Sequence, residues 1–145
     1  MSAVLELRLA NRLSEIRRVA ERIESFCAIG GVPESVIFKL NLALDEVLTN
    51  IIDYAYDEEG EHEIILRVVL VREILSAEVV DDGRPYDPTL TPDPDTGLSL
   101  DDRPIGGLGI YFAKRMMDRV VYVRDGNRNR LTLSKSTGKG ADEAG

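Results

Sequence analysis

The sequence predicts an α+β fold, a two-layer sandwich in which a mixed, mostly antiparallel sheet carries helices on one face. Two pairs of strand-like segments are each separated by a short polar turn, and strands joined by hairpins run antiparallel. Stretches with apolar residues at helical spacing lie before and between these pairs, as expected for helices that cover such a sheet. The 145 residues, 43% of them hydrophobic, are enough for one domain with its own core.

The N-terminal part of the chain contains one predicted strand and two predicted helices. Residues 3–10, AVLELRLA, alternate leucines with charged residues, which is the pattern of a strand with one buried face. Residues 11–31 have helical apolar spacing, and two glycines at their end indicate where the helix stops. Residues 32–60 form the strongest predicted helix, with one apolar stripe made of Ile37, Leu40, Leu44, Val47, Leu48, Ile51 and Ala55.

Two hairpins are predicted further along the chain. Residues 62–83 are expected to form two strands around a tight turn near Arg72 and Glu73. A helix follows the glycine cluster and ends at about Asp118. The second hairpin then occupies residues 119–135, with its turn at Asp125 to Asn129.

Two segments lack the pattern of a helix or a strand. Residues 83–107 contain five prolines and many aspartates, and a loop this long in a compact domain is usually a functional lid or disordered. Residues 136–145, STGKGADEAG, are polar and expected to be a disordered tail. Residues 1–135 are therefore predicted to form the single domain.

Composition argues against several classes of function. The net charge of −8 disfavours a DNA or RNA partner, because an acidic chain gains nothing from counterion release. The single histidine, His62, and the single cysteine, Cys27, cannot build a His/Cys metal site. No apolar run reaches the roughly 18 residues that a membrane span needs, and the N-terminus lacks a signal-peptide pattern. We therefore expect a cytoplasmic protein that does not contact a membrane.

Three clusters are candidates for a functional site. Glu46, Asn50 and Asp53 are three or four residues apart, so the long helix presents them on one face, nearly opposite its apolar stripe. An amide oxygen can bind Mg²⁺, and a carboxylate can accept a proton. The segment DDGRPYDP, Asp81 to Pro88, follows a predicted strand. The segment GGLG, Gly106 to Gly109, precedes a predicted helix, where main-chain N–H groups can face a phosphate.

Taken singly, these clusters have ordinary structural explanations: a solvated helix face, a strand-end turn and a glycine-rich helix start. Their combination, E-x-x-x-N, then D-x-G, a long loop and G-x-G, resembles the nucleotide site of the GHKL ATPase superfamily. More closely, the chain resembles the anti-sigma-factor serine/threonine kinases of the RsbW and SpoIIAB type, from about Leu5 to Lys135. The matching segments are LALDEVLTNIIDYAY, VVDDGRPYDP and RPIGGLGIYFAKRMMDRVVYVRDGNRNRLTLSK. The resemblance implies the Bergerat fold of the GHKL ATPases.

The resemblance also implies roles on the long helix and after the third strand. Glu46 would be the general base that activates the acceptor hydroxyl. Asn50 would bind Mg²⁺ and contact the nucleotide, with Asp53 on the same face. Asp81 would accept a hydrogen bond from the adenine amino group, and Gly83 would let the base lie close.

Further nucleotide contacts are implied in the second half of the chain. Arg103 would contact a phosphate, with Arg84 as the second choice. Thr132 would lie near adenine on the last strand. The main chain at the helix start would approach the phosphates at Gly107, Leu108 and Gly109.

By the same resemblance, the chain is expected to be an ATP- and Mg²⁺-dependent kinase and a homodimer. It would hold a sigma factor inactive and phosphorylate a STAS-domain antagonist. The alternative is a catalytically weak regulator of the same fold, in which nucleotide controls protein binding.

Overall fold

The computed structural model describes residues 2–56, 60–90 and 107–138, with Gly107 and Leu108 described by their main chain only. Along the chain the elements are β1 (Ser2–Ala10), α1 (Glu15–Ile29), α2 (Glu34–Tyr54), β2 (Glu63–Val71), β3 (Ile74–Asp81), a 3₁₀ turn (Pro88–Leu90), α3 (Gly107–Met116), β4 (Arg119–Asp125) and β5 (Arg128–Ser136). The predicted order of strands and helices is confirmed. No helix in these ranges is both long and apolar enough to span a membrane.

The strands form one five-stranded sheet in the order β1-β2-β3-β5-β4. Every neighbouring pair in it is antiparallel, which confirms the mostly antiparallel sheet that was predicted, but the described strands include no parallel pair that would make it mixed. The first hairpin turns at Arg72 and Glu73, as predicted, and the second turns at Gly126 and Asn127. This order brings the end of β3 next to the start of β5, where Asp81 pairs with Asn129.

The core lies between the sheet and the helices. Alternate residues of each strand face the helices, and the buried ones include Leu7 and Leu9 of β1 and Leu131 and Leu133 of β5. Helix α2 contributes the largest share of the helical side, because one of its faces is apolar along most of its length. Its buried residues are Val36, Ile37, Leu40, Ala43, Leu44, Val47 and Leu48.

The last strand continues past residue 135, the predicted end of the domain. Ser136 belongs to β5, and Thr137 is buried with its main-chain N–H donating to the carbonyl oxygen of Glu73 at 2.7 Å. This bond to the first hairpin turn extends the ordered sheet past residue 135, and residues 139–145 lie outside the described residues. Of the predicted lid, residues 91–106 also lie outside the described residues.

The Arg72 position generates a stability prediction. Arg72 has a φ of 57°, a left-handed conformation that costs a non-glycine residue about 1–2 kcal/mol. Glycine adopts it without that penalty but loses roughly 0.5–1 kcal/mol of chain entropy on folding. We expect Arg72→Gly to raise the free energy of unfolding, by up to about 1 kcal/mol, in urea denaturation.

Glu73→Gly is the matched control, because Glu73 does not have a positive φ. That change should lower the free energy of unfolding through the entropy term alone. Equal effects of the two substitutions would contradict the proposed strain at Arg72.

Candidate functional site

A cavity of about 340 Å³ lies between the C-terminal half of α2, the end of β3, the start of β5 and the start of α3. Its walls are mostly apolar, and they include Ile51, Pro88, Ile110 and Leu131. Its polar lining residues include Asn50, Asp81, Arg84 and Asn129. An apolar cavity of this size with a few convergent polar groups is typical of a small-molecule site.

Asp81, the last residue of β3, is the buried carboxylate of this cavity, with only 4% of its surface exposed. Its Oδ1 atom accepts hydrogen bonds from the Gly83 main-chain N–H at 2.9 Å and from Asn129 Nδ2 at 3.0 Å. In the described part of the chain, no hydrogen bond is made to Oδ2. Burial raises the pKa of Asp81, although the bonds from Asn129 and Gly83 oppose that rise. The carboxylate is thus held in place by one oxygen and has the other available for a ligand.

Asn129 is held in one orientation by groups from three segments. Its Oδ1 atom accepts a hydrogen bond from the Tyr122 hydroxyl and another from Arg124 Nη1 at 3.1 Å. Its Nδ2 atom donates to Asp81 and, at 2.8 Å, to the carbonyl oxygen of Arg84. With donors around the oxygen and acceptors around the nitrogen, the amide cannot flip without losing these bonds.

Gly83 allows the loop after β3 to pack against the end of α2. A Cβ atom on Gly83 would lie 2.5 Å from the Cβ and 2.6 Å from the carbonyl oxygen of Ala55. The next residue, Arg84, donates from its main-chain N–H to the carbonyl of Ala55 at 2.9 Å and from Nε to that of Tyr54 at 2.8 Å. These bonds satisfy carbonyl groups at the C-terminal end of the helix. Packing against Ala55 therefore explains why position 83 is a glycine. The close approach of a bound adenine base to this glycine stays a prediction.

The predicted polar face of α2 is only partly directed at the cavity. Asn50 lines it, whereas Asp53 is exposed and is not among the lining residues. Glu46, one turn before Asn50, is half-buried against α3: a Cβ atom on Gly109 would lie 1.9 Å from its Oε2 atom. Burial raises the pKa of Glu46, and the neighbouring charge of Asp45 adds to the rise.

Thr132 is not at the cavity, which corrects the prediction for β5. Leu131 and Leu133 face the helices, so the two-residue period of the strand places Thr132 on the other face. The polar residue that β5 presents to the cavity is Asn129, which sequence reasoning assigned to the turn. Its position two residues before Leu131, in the inward register, is the signal that could have identified it.

The predicted contacts at Gly107, Leu108 and Arg103 lie at or beyond the limits of the described residues. The main chain of Gly107 begins α3, and nothing is described of the Leu108 side chain. Arg103 lies outside the described residues. Arg84, the second choice for a phosphate contact, does line the cavity.

Within residues 2–56, 60–90 and 107–138, no group of three or more histidine, cysteine, aspartate or glutamate side chains is arranged to hold a metal ion. The Asn50 amide oxygen at the cavity is a neutral oxygen donor of the kind that Mg²⁺ accepts. Such a donor suits an ion whose remaining ligands are phosphate oxygens and water.

Comparison with known proteins identifies relatives of the chain. The profile of the histidine kinase-like ATPase domain matches residues 9–135. The serine/threonine-protein kinase BtrW of Bordetella bronchiseptica is 35% identical over 97 residues, which are 67% of this chain and 68% of BtrW. The serine-protein kinase RsbW of Bacillus velezensis is 30% identical over 93 residues, which are 56% of this chain and 53% of that protein.

A solved structure has the same fold. The crystal structure of RsbU and RsbW domains from Mycobacterium tuberculosis matches 92% of this chain with a TM-score of 0.67 and 17% identity. The match covers 32% of that solved chain, about a third of its length.

The hydrogen bonds of Asn129 generate a stability prediction. Asn129→Ala removes the donor to Asp81 and to the Arg84 carbonyl, and leaves the buried carboxylate and the partly buried carbonyl without that partner. We expect the free energy of unfolding to fall by roughly 1–3 kcal/mol in urea denaturation.

Asn127→Ala is the matched control, because Asn127 is exposed in the adjacent turn. It should change the free energy of unfolding by no more than about 0.5 kcal/mol. If both variants were as stable as the wild type, the hydrogen bonds of Asn129 would not contribute to the fold.

Proposed function

Because the chain belongs to the histidine kinase-like ATPase domain family, we propose that it is a protein-serine/threonine kinase that binds ATP in the cavity beside Asp81. The family predicted from the sequence is confirmed by the match over residues 9–135. The kinase activity is supported by two relatives, 35% and 30% identical, that are named a serine/threonine kinase and a serine kinase.

The observation that carries the proposal is the fixed, buried carboxylate of Asp81. Its Oδ1 atom is occupied by Gly83 and Asn129, so Oδ2 is the oxygen that can accept a hydrogen bond from the adenine amino group. The walls formed by Ile51 and Leu131 suit the faces of a flat aromatic base. Burial raises the pKa of Asp81 because the ionised carboxylate is poorly solvated there. A ligand that donates a hydrogen bond to the carboxylate would stabilise its ionised form.

The phosphates would extend from this cavity past Asn50 toward the start of α3. Gly107, Leu108 and Gly109 lie at that helix start, where main-chain N–H groups and the helix dipole favour an anion. Mg²⁺, when bound by Asn50 and the phosphates, would neutralise part of the phosphate charge. Arg103 remains the predicted side-chain contact to a phosphate.

Glu46 is the proposed general base. The acceptor hydroxyl oxygen forms a bond to the γ-phosphorus while the bond from that phosphorus to the β-phosphate oxygen breaks, which releases ADP. The hydroxyl proton passes to the Glu46 carboxylate. Its raised pKa brings it closer to neutral pH, where a base accepts a proton more readily.

We further propose the partners that the family resemblance implies. The protein would bind a sigma factor and phosphorylate a STAS-domain antagonist in the cytoplasm. It would act as a homodimer with β1 at the contact, because among the described strands β1 pairs with β2 alone and its other edge is open to pairing.

The assignment of Asp81 predicts a loss of base recognition. Asp81→Asn should weaken ATP binding by about ten-fold or more, because a hydrogen bond to a charged acceptor contributes roughly 1.5–3 kcal/mol. Inosine triphosphate, which has a carbonyl in place of the adenine amino group, should bind the wild type weakly and the variant no more weakly. Calorimetry with both nucleotides measures the difference. Unchanged ATP affinity would remove Asp81 from the site.

The assignment of Glu46 predicts a loss of catalysis without a loss of binding. Glu46→Gln should reduce phosphate transfer from radiolabelled ATP to a purified STAS-domain protein of the same genome by about 100-fold or more. ATP affinity should stay nearly unchanged, because the predicted adenine contact is made by Asp81. A variant as active as an active wild type would exclude Glu46 as the base. A wild type that binds ATP and its partner but transfers no phosphate would favour the nucleotide-gated regulator.

The pH profile provides a control for the same assignment. The base must be ionised, so the transfer rate should fall as pH is lowered through the raised pKa of Glu46. Asp45→Asn removes a neighbouring charge that raises this pKa, so the acidic limb should move to lower pH. If the acidic limb of the profile did not move in Asp45→Asn, the group that titrates there would not be Glu46.

A further inference from the structure

Helix α2 carries a row of four side chains that leads to the proposed base. Phe38, Leu42, Glu46 and Asn50 are each four residues apart, so they lie side by side along one ridge of the helix. Successive members are about 6 Å apart along the axis. The first two are large apolar side chains in solvent, with 62% of Phe38 and 37% of Leu42 exposed.

The same two residues border a groove between α1 and α2, with a volume of about 470 Å³. Its opposite side is formed by residues of α1 that include Ile16 and Ala20. The charged residues that line the groove are Glu24, Glu34 and Asp45, and all three are acidic. An exposed apolar surface bordered by charge of one sign is typical of a protein-binding surface.

We propose that Phe38, Leu42 and this groove form the docking surface for the protein that receives the phosphate. The proposal rests on the function proposed above, with Glu46 as the base. The acceptor hydroxyl must come within about 3 Å of the Glu46 carboxylate. A protein surface is far wider than one helical turn of about 5.4 Å, so a protein that reaches Glu46 along this ridge also covers Leu42 and Phe38.

The charges of the groove define the chemistry of the acceptor surface. Apolar side chains beside its serine or threonine would pack on Phe38 and Leu42. Lysine or arginine side chains around them would face Glu24 and Glu34, which are both exposed. Because such pairs are screened by salt, the KM for the acceptor should rise with ionic strength.

The apolar contact is tested with the double variant Phe38→Ala/Leu42→Ala. With the STAS-domain protein of the same genome as acceptor, its KM should rise by about ten-fold or more, as for removal of central apolar contacts. The kcat at saturating acceptor and the affinity for ATP should stay within about two-fold of the wild type, because neither side chain lines the nucleotide cavity. Ile74→Ala is the matched control: Ile74 is an aliphatic residue of β3 that is 47% exposed, and it should leave the KM unchanged.

The charge contact is tested by reversal on α1. Glu24→Lys should raise the acceptor KM and weaken its dependence on salt, whereas Glu21→Lys, on the same helix but not at the groove, should change neither.

The outcomes separate this proposal from the kinase assignment. An active wild type with an unchanged KM in the double variant would overturn the docking surface alone. The docking surface would also be overturned if the double variant lost binding of the sigma factor but kept the wild-type KM for the acceptor, since the surface would then bind another partner. A wild type that transfers no phosphate would overturn both proposals.

Discussion

The hydrogen bond between Asp81 and Asn129 is the contact on which the candidate site depends. The two residues are directly paired across β3 and β5, and both side chains are buried on the face that carries the helices. A carboxylate in such a place costs free energy unless hydrogen bonds compensate it. Asn129 supplies one of these bonds, and its own further hydrogen bonds reach the loop after β3 at Arg84 and the strand β4 at Tyr122 and Arg124. The same hydrogen bonds therefore join this end of the sheet together and hold the carboxylate of the candidate site in place.

The sequence predicted the elements well because their signals are local. Alternating leucines identified β1, and the apolar stripe of α2 identified its buried face. The first hairpin turn was placed correctly at Arg72 and Glu73. Asp81 was assigned to the site only through the resemblance to the GHKL ATPases, because D-x-G at the end of a strand is by itself an ordinary turn.

Thr132 and Asn129 show where local pattern is insufficient. A strand residue faces the helices or the open side according to register, and a shift of one residue exchanges the two faces. The second hairpin has a turn of only two residues, Gly126 and Asn127, so Asn129 already belongs to β5 and faces inward. The turn was predicted to span five residues, Asp125 to Asn129, so Asn129 was not assigned to the strand. The packing of Gly83 against Ala55 was not predicted either, because Ala55 lies far away in the sequence.

The contact between Glu46 and Gly109 constrains how sequences of this fold can diverge. A methyl group at position 109 would overlap the Glu46 carboxylate in its present position, so the Glu46 side chain would have to rotate away from α3. A descendant that gains a side chain at 109 must therefore move the Glu46 carboxylate, shorten residue 46 or displace the start of α3. Glycine at 109 is therefore expected wherever the carboxylate at position 46 keeps its present position. The residue at 109 would then be an inexpensive marker for sorting homologues that keep the proposed base from those that keep only the fold.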